Sequence, residues 1–261
     1  QQQADTYEIA VLREEQSRGG SAWVHGALQA GMKVQMRGPR NHFKLDESAQ
    51  QLILVAGGIG ITPIAAMAAR AQALGIPYEI HYSCSQRERM ALLTALQARH
   101  GERLQIYVGA EGRRADYPAL LAQVRPGAQI YACGPQRMLD GLAEASQHWP
   151  EDSLRVEHFS STLGALDPDK EHGFEVELRE SGITLQVRND ETLLDALRSA
   201  NIDIECDCRE GLCGSCEVPV LEGDIDHRDM VLTRAERTAC TKMMSCCSRA
   251  RTQESRIVLA L

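Results

Sequence analysis

A run of three closely spaced cysteines near the carboxyl end constrains the fold more than any other feature of the sequence. Cys208, Cys213 and Cys216 are arranged as C-x4-C-x2-C, and further cysteines follow downstream. This is the plant-type spacing for a 2Fe–2S cluster, in which these thiolates and one distant thiolate complete two tetrahedral irons. Gly211 and Gly214 suit a loop whose backbone curls around the sulfides and donates N–H groups to them. The sequence therefore predicts a small iron–sulfur domain around this loop.

The other cysteines leave two questions open. Zinc is the competing interpretation, but zinc sites prefer two C-x2-C pairs or Cys/His pairs, and one such pair exists here. Cys206 would give a six-residue first gap, so we interpret it as a small buried hydrophobe. Spacing alone leaves the fourth ligand open among Cys240, Cys246 and Cys247. The nine cysteines are odd in number and unevenly distributed, which favours a reducing, cytoplasmic location over a disulfide framework.

Charge and composition exclude two classes of partner. The chain has 28 Lys+Arg against 36 Asp+Glu, a net charge of −8, and 4% aromatic residues, so neither phosphate neutralisation nor base stacking on nucleic acid is expected. The uncharged stretch Leu52–Ala69 approaches the length of a membrane span. Its glycines, Thr62 and Pro63 instead indicate a strand, a tight loop and the start of a helix, so no membrane partner is expected.

Residues 49–159 alternate between apolar runs and amphipathic segments. Five strands separated by four helices predict an α/β domain with a doubly wound parallel sheet, which binds ligands beyond the carboxyl ends of its strands. The strands are predicted at Leu52–Ala56, Tyr78–Ser83, Leu104–Val108, Gln129–Ala132 and Leu154–His158, and the helices at Pro63–Leu74, Glu88–Ala98, Tyr117–Val124 and Pro135–His148.

The chain on either side of this domain is organised differently. Strand-like patterns at Tyr7–Arg13 and Lys33–Arg37 flank a short helical stretch through Leu28, too little to close a sheet, so we interpret residues 1–48 as the end of a domain whose beginning is absent. Residues 160–172 are polar and aperiodic and predict a linker. Residues 173–261 predict a small α+β domain with a hairpin (Phe174–Arg179 and Ile183–Arg188), a helix (Thr192–Ala200), and strands at Glu217–Leu221 and Ile257–Leu261.

Three loops of the first 160 residues are candidate phosphate or cofactor sites. Gly57–Pro63 lies between a strand and a helix, although Pro63 stands where the dinucleotide fingerprint has its third glycine. Thr62 is predicted to cap the helix and Pro63 to occupy its first position. The alternative is a tight strand-to-helix turn that binds no ligand. Cys133-Gly134-Pro135 ends the fourth strand at the ligand-binding edge, and Gly19-Gly20-Ser21 precedes a helical stretch. The alternative for Cys133 is a thiol packed before the start of a helix. The alternative for Gly19-Gly20-Ser21 is a simple turn.

The triplet His227-Arg228-Asp229 is also found in protein kinases, but no glycine-rich loop or D-F-G segment accompanies it. We interpret it as part of a solvated loop.

Taken in order along the chain, these motifs resemble the reductase components of the phthalate dioxygenase reductase type, which combine an antiparallel β-barrel flavin domain, an NAD domain and a β-grasp ferredoxin domain. The matching segments are residues 18–21, 38–43, 57–63, 133–135, 208–216, 226–229 and 246–250. The resemblance assigns residues 1–48 to the end of the FMN-binding barrel, 49–159 to the NAD domain and 173–261 to the 2Fe–2S ferredoxin.

The resemblance also implies residue roles. Cys246 becomes the fourth cluster ligand with Cys208, Cys213 and Cys216. A catalytic position near the nicotinamide is implied for Cys133. The implied nucleotide and flavin contacts are Gly20, Ser21, Gly57, Gly58, Gly60, Thr62, Cys133, Gly134, Pro135 and Phe159.

The implied function is electron transfer from NADH through FMN and the 2Fe–2S cluster to a terminal Rieske-type oxygenase acting on aromatic acids or their methyl ethers. A monomer is expected. Two departures from the family pattern bear on this: its Arg-x-Tyr-Ser flavin motif would precede residue 1, and Ser83-Cys84-Ser85 lacks an arginine that many relatives carry. Arg87 and Arg89 could meet a 2′-phosphate, which leaves NADPH open. The alternatives are a reductase for another acceptor, such as a soluble hydroxylase, and a carrier in which only the ferredoxin acts.

Overall fold

The computed structural model describes residues 6–15, 17, 19–36, 38–39, 41–159, 161, 163–164 and 166–261. The chain divides into two compact units, Gln1–Phe159 and Ser160–Leu261, which we call the first and the second unit. Arg18, Arg37 and Arg40 of the sequence motifs lie outside the described residues.

Helix α1 (Gly20–Gly26) is the one regular element among the described residues before position 51, and it matches the predicted helical stretch. The strands predicted at Tyr7–Arg13 and Lys33–Arg37 are wrong, because none of the residues described in these ranges joins a strand. Alternating apolar residues form a strand only where a neighbouring strand supplies ladder partners. The barrel end expected for residues 1–48 is therefore not built from strands in the described part of the chain.

Side chains of helix α1 form hydrogen bonds with backbone groups of residues 11 and 14, which in a strand would pair with a neighbouring strand. The Val11 carbonyl is hydrogen-bonded to His25 Nε2 at 2.7 Å, and the Glu14 N–H donates to Ser21 Oγ at 3.2 Å. This segment is thus held against its own helix by local contacts.

The predicted doubly wound sheet is confirmed in the first unit. Its strands are β1 (Gln51–Gly57), β2 (Tyr78–Cys84), β3 (Leu104–Val108), β4 (Ala128–Cys133) and β5 (Leu154–Glu157). They are parallel and lie in the order β3-β2-β1-β4-β5. The central strand, β1, is almost entirely apolar because each face is covered by its own core: Leu52, Leu54 and Ala56 pack on one side, and Ile53 and Val55 on the other.

The helices between these strands are α2 (Ile61–Leu74), α3 (Leu93–His100), α4 (Tyr117–Leu121) and α5 (Gln136–Ala145). The helix predicted at Glu88–Ala98 is broken into a 3₁₀ turn at Arg87–Arg89 and the later α3. Met90 is extended and buried in the core, and Leu92 has a left-handed φ of 59°. Burial of Met90 overrides the helical propensity of this segment.

The second unit is an α+β fold, as predicted, around a five-stranded mixed sheet ordered β10-β8-β12-β6-β7. The predicted hairpin is formed by β6 and β7, and β12 pairs parallel to β6. Helix α6 begins after Thr192, whose hydroxyl accepts from the Asp195 N–H, and packs its leucines on the sheet. The elements are β6 (Phe174–Leu178), β7 (Ile183–Val187), α6 (Leu193–Ser199), β8 (Glu217–Glu222), β9 (Ile225–Asp226), α7 (Arg234–Ala239), β10 (Lys242–Met244), β11 (Arg249–Ala250) and β12 (Arg256–Leu259).

The end of the predicted linker is fixed to the second unit by ion pairs. Glu171 accepts two hydrogen bonds from Arg228, at 2.5 and 3.0 Å. Arg249 is buried, with 1% of its surface exposed, and its guanidinium lies over the Phe174 ring. It donates hydrogen bonds to the carbonyls of His172, Arg188 and Glu191. A buried guanidinium is tolerated here because several acceptors surround it.

Candidate functional site

The carboxyl ends of β1 and β4 meet at the point where the strand order of the first sheet reverses, so the predicted nucleotide loops lie at its switch point. Gly60 follows β1, and a Cβ on it would lie 2.2 Å from the carbonyl oxygen of Cys133 and 2.8 Å from the nitrogen of Gly134. Gly134 approaches Gly57 in the same way, with a virtual Cβ 2.9 Å from the Gly57 Cα. These three glycines let one loop touch the other backbone to backbone.

Gly58 differs from the other glycines of this loop. It has a left-handed φ of 56°, and a Cβ built on it would meet nothing within 4 Å. Its backbone is therefore the part of Gly57–Thr62 that a ligand can approach closely. The predicted helix cap at Thr62 and first helical position at Pro63 are wrong: α2 begins at Ile61 after Gly60, and the Thr62 hydroxyl donates to the Ile59 carbonyl at 3.1 Å.

Cys133 is part of the hydrophobic core at the end of β4, with 0% of its surface exposed. Burial raises the pKa of its thiol above the ordinary value. The thiol is thus neutral and enclosed, while Pro135, two residues later, is exposed. A catalytic role for Cys133 stays a prediction, and in this structure its carbonyl lies against Gly60.

The flavin candidates of the first unit lie on its surface. Gly20 is exposed at the start of α1, and the Ser21 hydroxyl donates to Ser17 Oγ at 2.9 Å. Phe159 has 48% of its surface exposed, although it is a large apolar side chain. Their proposed contacts to FMN stay predictions.

The end of β2 carries an ion pair that the sequence did not predict. Arg87 donates from Nε and an Nη atom to both carboxylate oxygens of Glu111, at 2.7 and 2.6 Å. The hydrogen bonds from Arg87 lower the pKa of Glu111, so the carboxylate is charged. Because Glu111 follows β3, the two side chains bridge neighbouring strand ends at the ligand-binding edge.

The cysteine loop of the second unit connects α6 to β8. Gly211 has a φ of 67°, and a Cβ there would lie 2.9 Å from Cys247 Sγ and 3.0 Å from the Cα of Asp229. A side chain at this position would therefore be both strained and crowded. The Met230 N–H donates to the Gly211 carbonyl at 2.8 Å, which fixes the loop to the chain that follows β9.

Strand register brings the distant cysteine to the loop. In the antiparallel pair of β8 and β10, Glu217 lies opposite Met244. Cys216, directly before β8, therefore lies near the residues that directly follow β10. The Ser245 N–H and hydroxyl both donate to the Cys216 carbonyl, at 3.1 and 2.9 Å. Cys246 follows directly, and its Sγ lies within 4.8 Å of the Sγ of Cys216.

The candidate cysteines lie in different places. The Sγ atoms of Cys206, Cys216 and Cys246 lie within 4.8 Å of one another, and Cys247 packs against the same small core. Cys208 and Cys213 are neighbours in the loop, and each thiol shifts the pKa of the other. Cys240 lies elsewhere, with its Sγ 3.7 Å from His227 Nε2. Two thiol pairs match the need of a 2Fe–2S cluster, in which each iron takes two thiolates besides the bridging sulfides. The position of Cys206 is not expected from the sequence interpretation.

The polar surroundings of these thiols also suit a cluster. The Glu210 N–H donates to Cys208 Sγ at 3.3 Å, and Ser215 Oγ lies 3.0 Å from Cys213 Sγ. For Cys213, burial is outweighed by hydrogen bonds from the Ser215 side chain and backbone, and the pKa falls to about 7. For Cys208 burial is the main cause of a raised pKa. N–H donors to sulfur stabilise the thiolates that iron requires.

The prediction of a solvated loop at His227-Arg228-Asp229 is wrong for Asp229, which is a structural residue with 2% of its surface exposed. Its buried carboxylate accepts from the N–H groups of Val231 and Leu232, at 3.1 and 2.8 Å, and Arg237 donates to its carbonyl. Leu232 in turn packs with Cys216 and Cys246. The His-Arg-Asp triplet thus shapes the wall of the cysteine site, and its signal in the sequence was its place in the segment 226–229, which matches the family.

A parallel α/β unit with ligand loops at its switch point and an α+β unit with paired thiols define an iron–sulfur oxidoreductase. Comparison with known proteins specifies the class further. Residues 176–251 match the model of the 2Fe–2S iron–sulfur cluster binding domain, and residues 32–153 match the N-terminal domain of the dimethylamine monooxygenase subunit DmmA-like family.

The chain is 41% identical over 249 residues to the phenoxybenzoate dioxygenase subunit beta of Ectopseudomonas oleovorans, covering 95% of this chain and 77% of that protein. It is 33% identical to the solved phthalate dioxygenase reductase, with a TM-score of 0.63 over 96% of this chain and 78% of the other. The chain belongs to this family of oxygenase reductases, as its motifs indicated.

A second solved relative is much longer. An intact type IV self-sufficient cytochrome P450 monooxygenase is 55% identical, with a TM-score of 0.92, over 97% of this chain. This chain spans 33% of that protein. Among the described residues, none of the helices has the length and apolar character needed to cross a bilayer.

Proposed function

We propose that this chain takes a hydride from NADH and delivers single electrons through FMN and a 2Fe–2S cluster to a terminal oxygenase of the Rieske type. The approach of Cys246 to Cys216, with Cys208 and Cys213 in the adjoining loop, carries the proposal, because these four supply two thiolates for each of two irons. Nicotinamide gives up two electrons together and an iron–sulfur cluster accepts one, so bound FMN would supply the conversion between them.

In this proposal residues 1–48 contribute to the FMN domain, 49–159 form the NAD domain, 160–172 the linker and 173–261 the ferredoxin. The open backbone at Gly58 and the first turn of α2 meet the NADH pyrophosphate, which helix N–H groups favour. The exposed Pro135 and the Cys133 backbone border the nicotinamide. Gly20 and Ser21 hold the FMN phosphate, and Phe159 lies against the flavin ring.

The chain's own residues tune the cluster. N–H groups of the loop and the Ser215 hydroxyl donate to the thiolates, and Leu194, Leu232 and Met244 exclude water from Cys216 and Cys246. Plant-type clusters have potentials of about −400 mV, low enough to reduce a Rieske centre, whose histidine ligands raise its potential.

A haem monooxygenase is the second candidate acceptor. The observation that favours it is the 55% identity to the self-sufficient cytochrome P450 monooxygenase, against 41% and 33% for the two oxygenase reductases above. Both acceptors take single electrons, so the reductase chemistry within this chain is the same for either.

NADH-driven reduction of cytochrome c tests the proposed function. Full-length protein loaded with FMN should reduce both cytochrome c and ferricyanide. Cys216→Ala should abolish the visible iron–sulfur absorbance and lower cytochrome c reduction at least tenfold while sparing ferricyanide, a small anion that reaches the flavin directly. Cys240→Ala, whose thiol lies by His227 away from the paired thiols, is the matched control. Absence of NADH-dependent reduction by the wild-type protein would refute the proposal.

The acceptor is tested separately by mixing the NADH-reduced protein with a purified Rieske oxygenase or with a P450 haem domain under carbon monoxide. Rapid bleaching of the Rieske spectrum supports the first candidate. Formation of the carbon monoxide complex of reduced haem, without Rieske reduction, supports the second.

A further inference from the structure

A cysteine, a histidine and an aspartate that are not proposed cluster ligands lie in a row in the second unit. The Sγ of Cys240 lies 3.7 Å from Nε2 of His227, within hydrogen-bond range for sulfur. On the other side of the ring, Nδ1 of His227 lies 3.9 Å from Oδ1 of Asp229. The imidazole therefore lies between a thiol and a carboxylate, which is the arrangement by which a neighbouring base activates a cysteine nucleophile.

The imidazole of this row is enclosed by protein. The His227 side chain is 5% exposed, and its Nδ1 is buried without a hydrogen-bond partner among the described residues. Burial lowers the pKa of His227, and the nearby charges are those of Asp226, Asp229, Arg237 and Arg251. The ring is therefore neutral at neutral pH. With its proton on Nδ1, toward the Asp229 carboxylate, its Nε2 lone pair faces the thiol.

The end of α7 places the thiol next to this ring. Cys240 ends the helix in the left-handed conformation, with a φ of 48°, a position at which glycine is the usual residue. Its thiol donates to the Arg237 carbonyl at 3.1 Å and has His227 as a second acceptor. The carbonyl cannot remove the proton, whereas the imidazole can. Cys240 is half-buried, so a small reagent can reach its sulfur.

Arginine side chains stabilise negative charge at this sulfur. The Arg251 guanidinium interacts electrostatically with both Cys240 and His227. Negative charge that develops on Sγ as the proton moves to the imidazole is thus close to a permanent cation. Neighbouring cations favour the thiolate, which is the nucleophilic form of cysteine.

We propose that Cys240 is a peroxide-reactive thiol for which His227 is the general base and Asp229 a positioning residue. The Sγ attacks one oxygen of hydrogen peroxide, so an S–O bond forms while the O–O bond breaks. The thiol proton passes to Nε2 of His227 and then to the departing hydroxide, which leaves as water. The sulfur is oxidised by two electrons to a sulfenic acid, and the peroxide is reduced by the same two electrons.

Trapping of the sulfenic acid with dimedone, followed by tryptic peptide mapping, measures this reaction on the purified full chain. Cleavage after Arg237 and Lys242 releases residues 238–242, in which Cys240 is the one cysteine. Residues 71–87 are released with Cys84 as their one cysteine. Because Cys84 is also half-buried, it is the internal reference. With hydrogen peroxide we expect Cys240 to be labelled at least tenfold faster than Cys84.

His227→Gln tests the role of the base. It should lower the labelling rate of Cys240 at least tenfold, because general bases accelerate such reactions by at least this factor, and it should leave the rate at Cys84 unchanged. His172→Gln is the matched control. His172 is another half-buried histidine of the second unit, and its Nε2 lies 3.2 Å from the Ala250 carbonyl. This variant should keep the wild-type rate at Cys240.

Equal labelling rates for Cys240 and Cys84 in the native wild type would overturn the inference, as would a folded His227→Gln protein with the wild-type rate. If His227→Gln is unfolded by far-ultraviolet circular dichroism, the wild type is compared in buffer and in urea. The excess rate at Cys240 must disappear in urea, since the contact with His227 exists only in the folded chain, and an excess that persists overturns the inference. Neither the cluster nor its electron acceptor enters these measurements, so failure of the proposed function leaves them unchanged.

Discussion

Substitution of Gly60 by alanine tests whether this glycine serves backbone packing and not ligand contact. The added Cβ would lie 2.2 Å from the Cys133 carbonyl oxygen, where real Cβ contacts are at least 3.0 Å, so the β1 and β4 loops must separate by about 0.8 Å. Overpacking of this kind costs about 3 kcal/mol in free energy of unfolding, a hundredfold change in the folding equilibrium constant. For a unit of this size we expect the melting temperature to fall by about 6–12 °C.

Tryptophan fluorescence is the appropriate assay, because both tryptophans of the chain, Trp23 and Trp149, lie in the first unit. Trp149 is buried, and its indole N–H donates to the Leu121 carbonyl at 2.8 Å, so its emission reports loss of the core. Thermal unfolding followed at this signal measures the first unit and is not dominated by the cysteine loop.

Gly58→Ala is the matched control for Gly60→Ala. It places a Cβ in open space at a φ of 56°, which costs about 1 kcal/mol and about 2–4 °C in melting temperature. In our proposal this variant weakens NADH binding because its backbone faces the pyrophosphate. A Gly60→Ala protein no less stable than Gly58→Ala would refute the packing argument.

Two further predictions concern ion pairs of the first unit. Glu111→Gln should raise kcat/KM for NADPH relative to NADH severalfold, because it removes the carboxylate that holds Arg87 and releases the guanidinium for a 2′-phosphate. Glu102→Gln, at the opposite end of β3, is the control, and an unchanged ratio in steady-state assays contradicts the assignment. Glu79 has a pKa lowered by His81 and by Arg125, whose Nη1 lies 2.8 Å away. The stabilisation from this lowered pKa is present above the unfolded-state pKa of about 4.3 and is lost as pH falls from there toward the lower folded-state pKa. Glu79→Gln should therefore flatten the fall in melting temperature between about pH 5 and about pH 3. The exposed pair of Glu47 and Arg70 supplies the control variant Glu47→Gln, and equal pH profiles for Glu79→Gln and the wild type would contradict this reasoning.

The cysteine loop illustrates how far local sequence reaches. Cys208, Cys213 and Cys216 are close in sequence, so their spacing alone indicates the cluster type. Cys246 is 30 positions beyond Cys216, and the residues left three candidates for the fourth ligand until the family resemblance selected one. The register of β8 and β10 places Cys246 beside Cys216 and leaves Cys240 next to His227, a consequence of pairing that no local pattern contains.

The first unit shows the same division. Apolar runs alternating with amphipathic segments determined the five parallel strands, because the side-chain periods of strands and helices are properties of neighbouring residues. The break before α3 was not predicted, since it depends on burial of Met90 in a core assembled from distant segments. The strands predicted at Tyr7–Arg13 and Lys33–Arg37 are wrong because a strand needs a neighbouring strand to pair with, and an alternating pattern does not show whether one is present.

The sequence by itself determined the α/β and α+β classes of the two units, the cysteine run and the family, since each of these resides in contiguous motifs or short-range periods. The tertiary structure decided that Gly60 and Gly134 allow two loops to pack closely and that Glu111 forms an ion pair with Arg87. It also decided that the Cys206 thiol lies beside those of Cys216 and Cys246. These features bring together residues from different segments of the chain. Their distances are set by packing and strand register, which act between segments and leave no trace in local spacing.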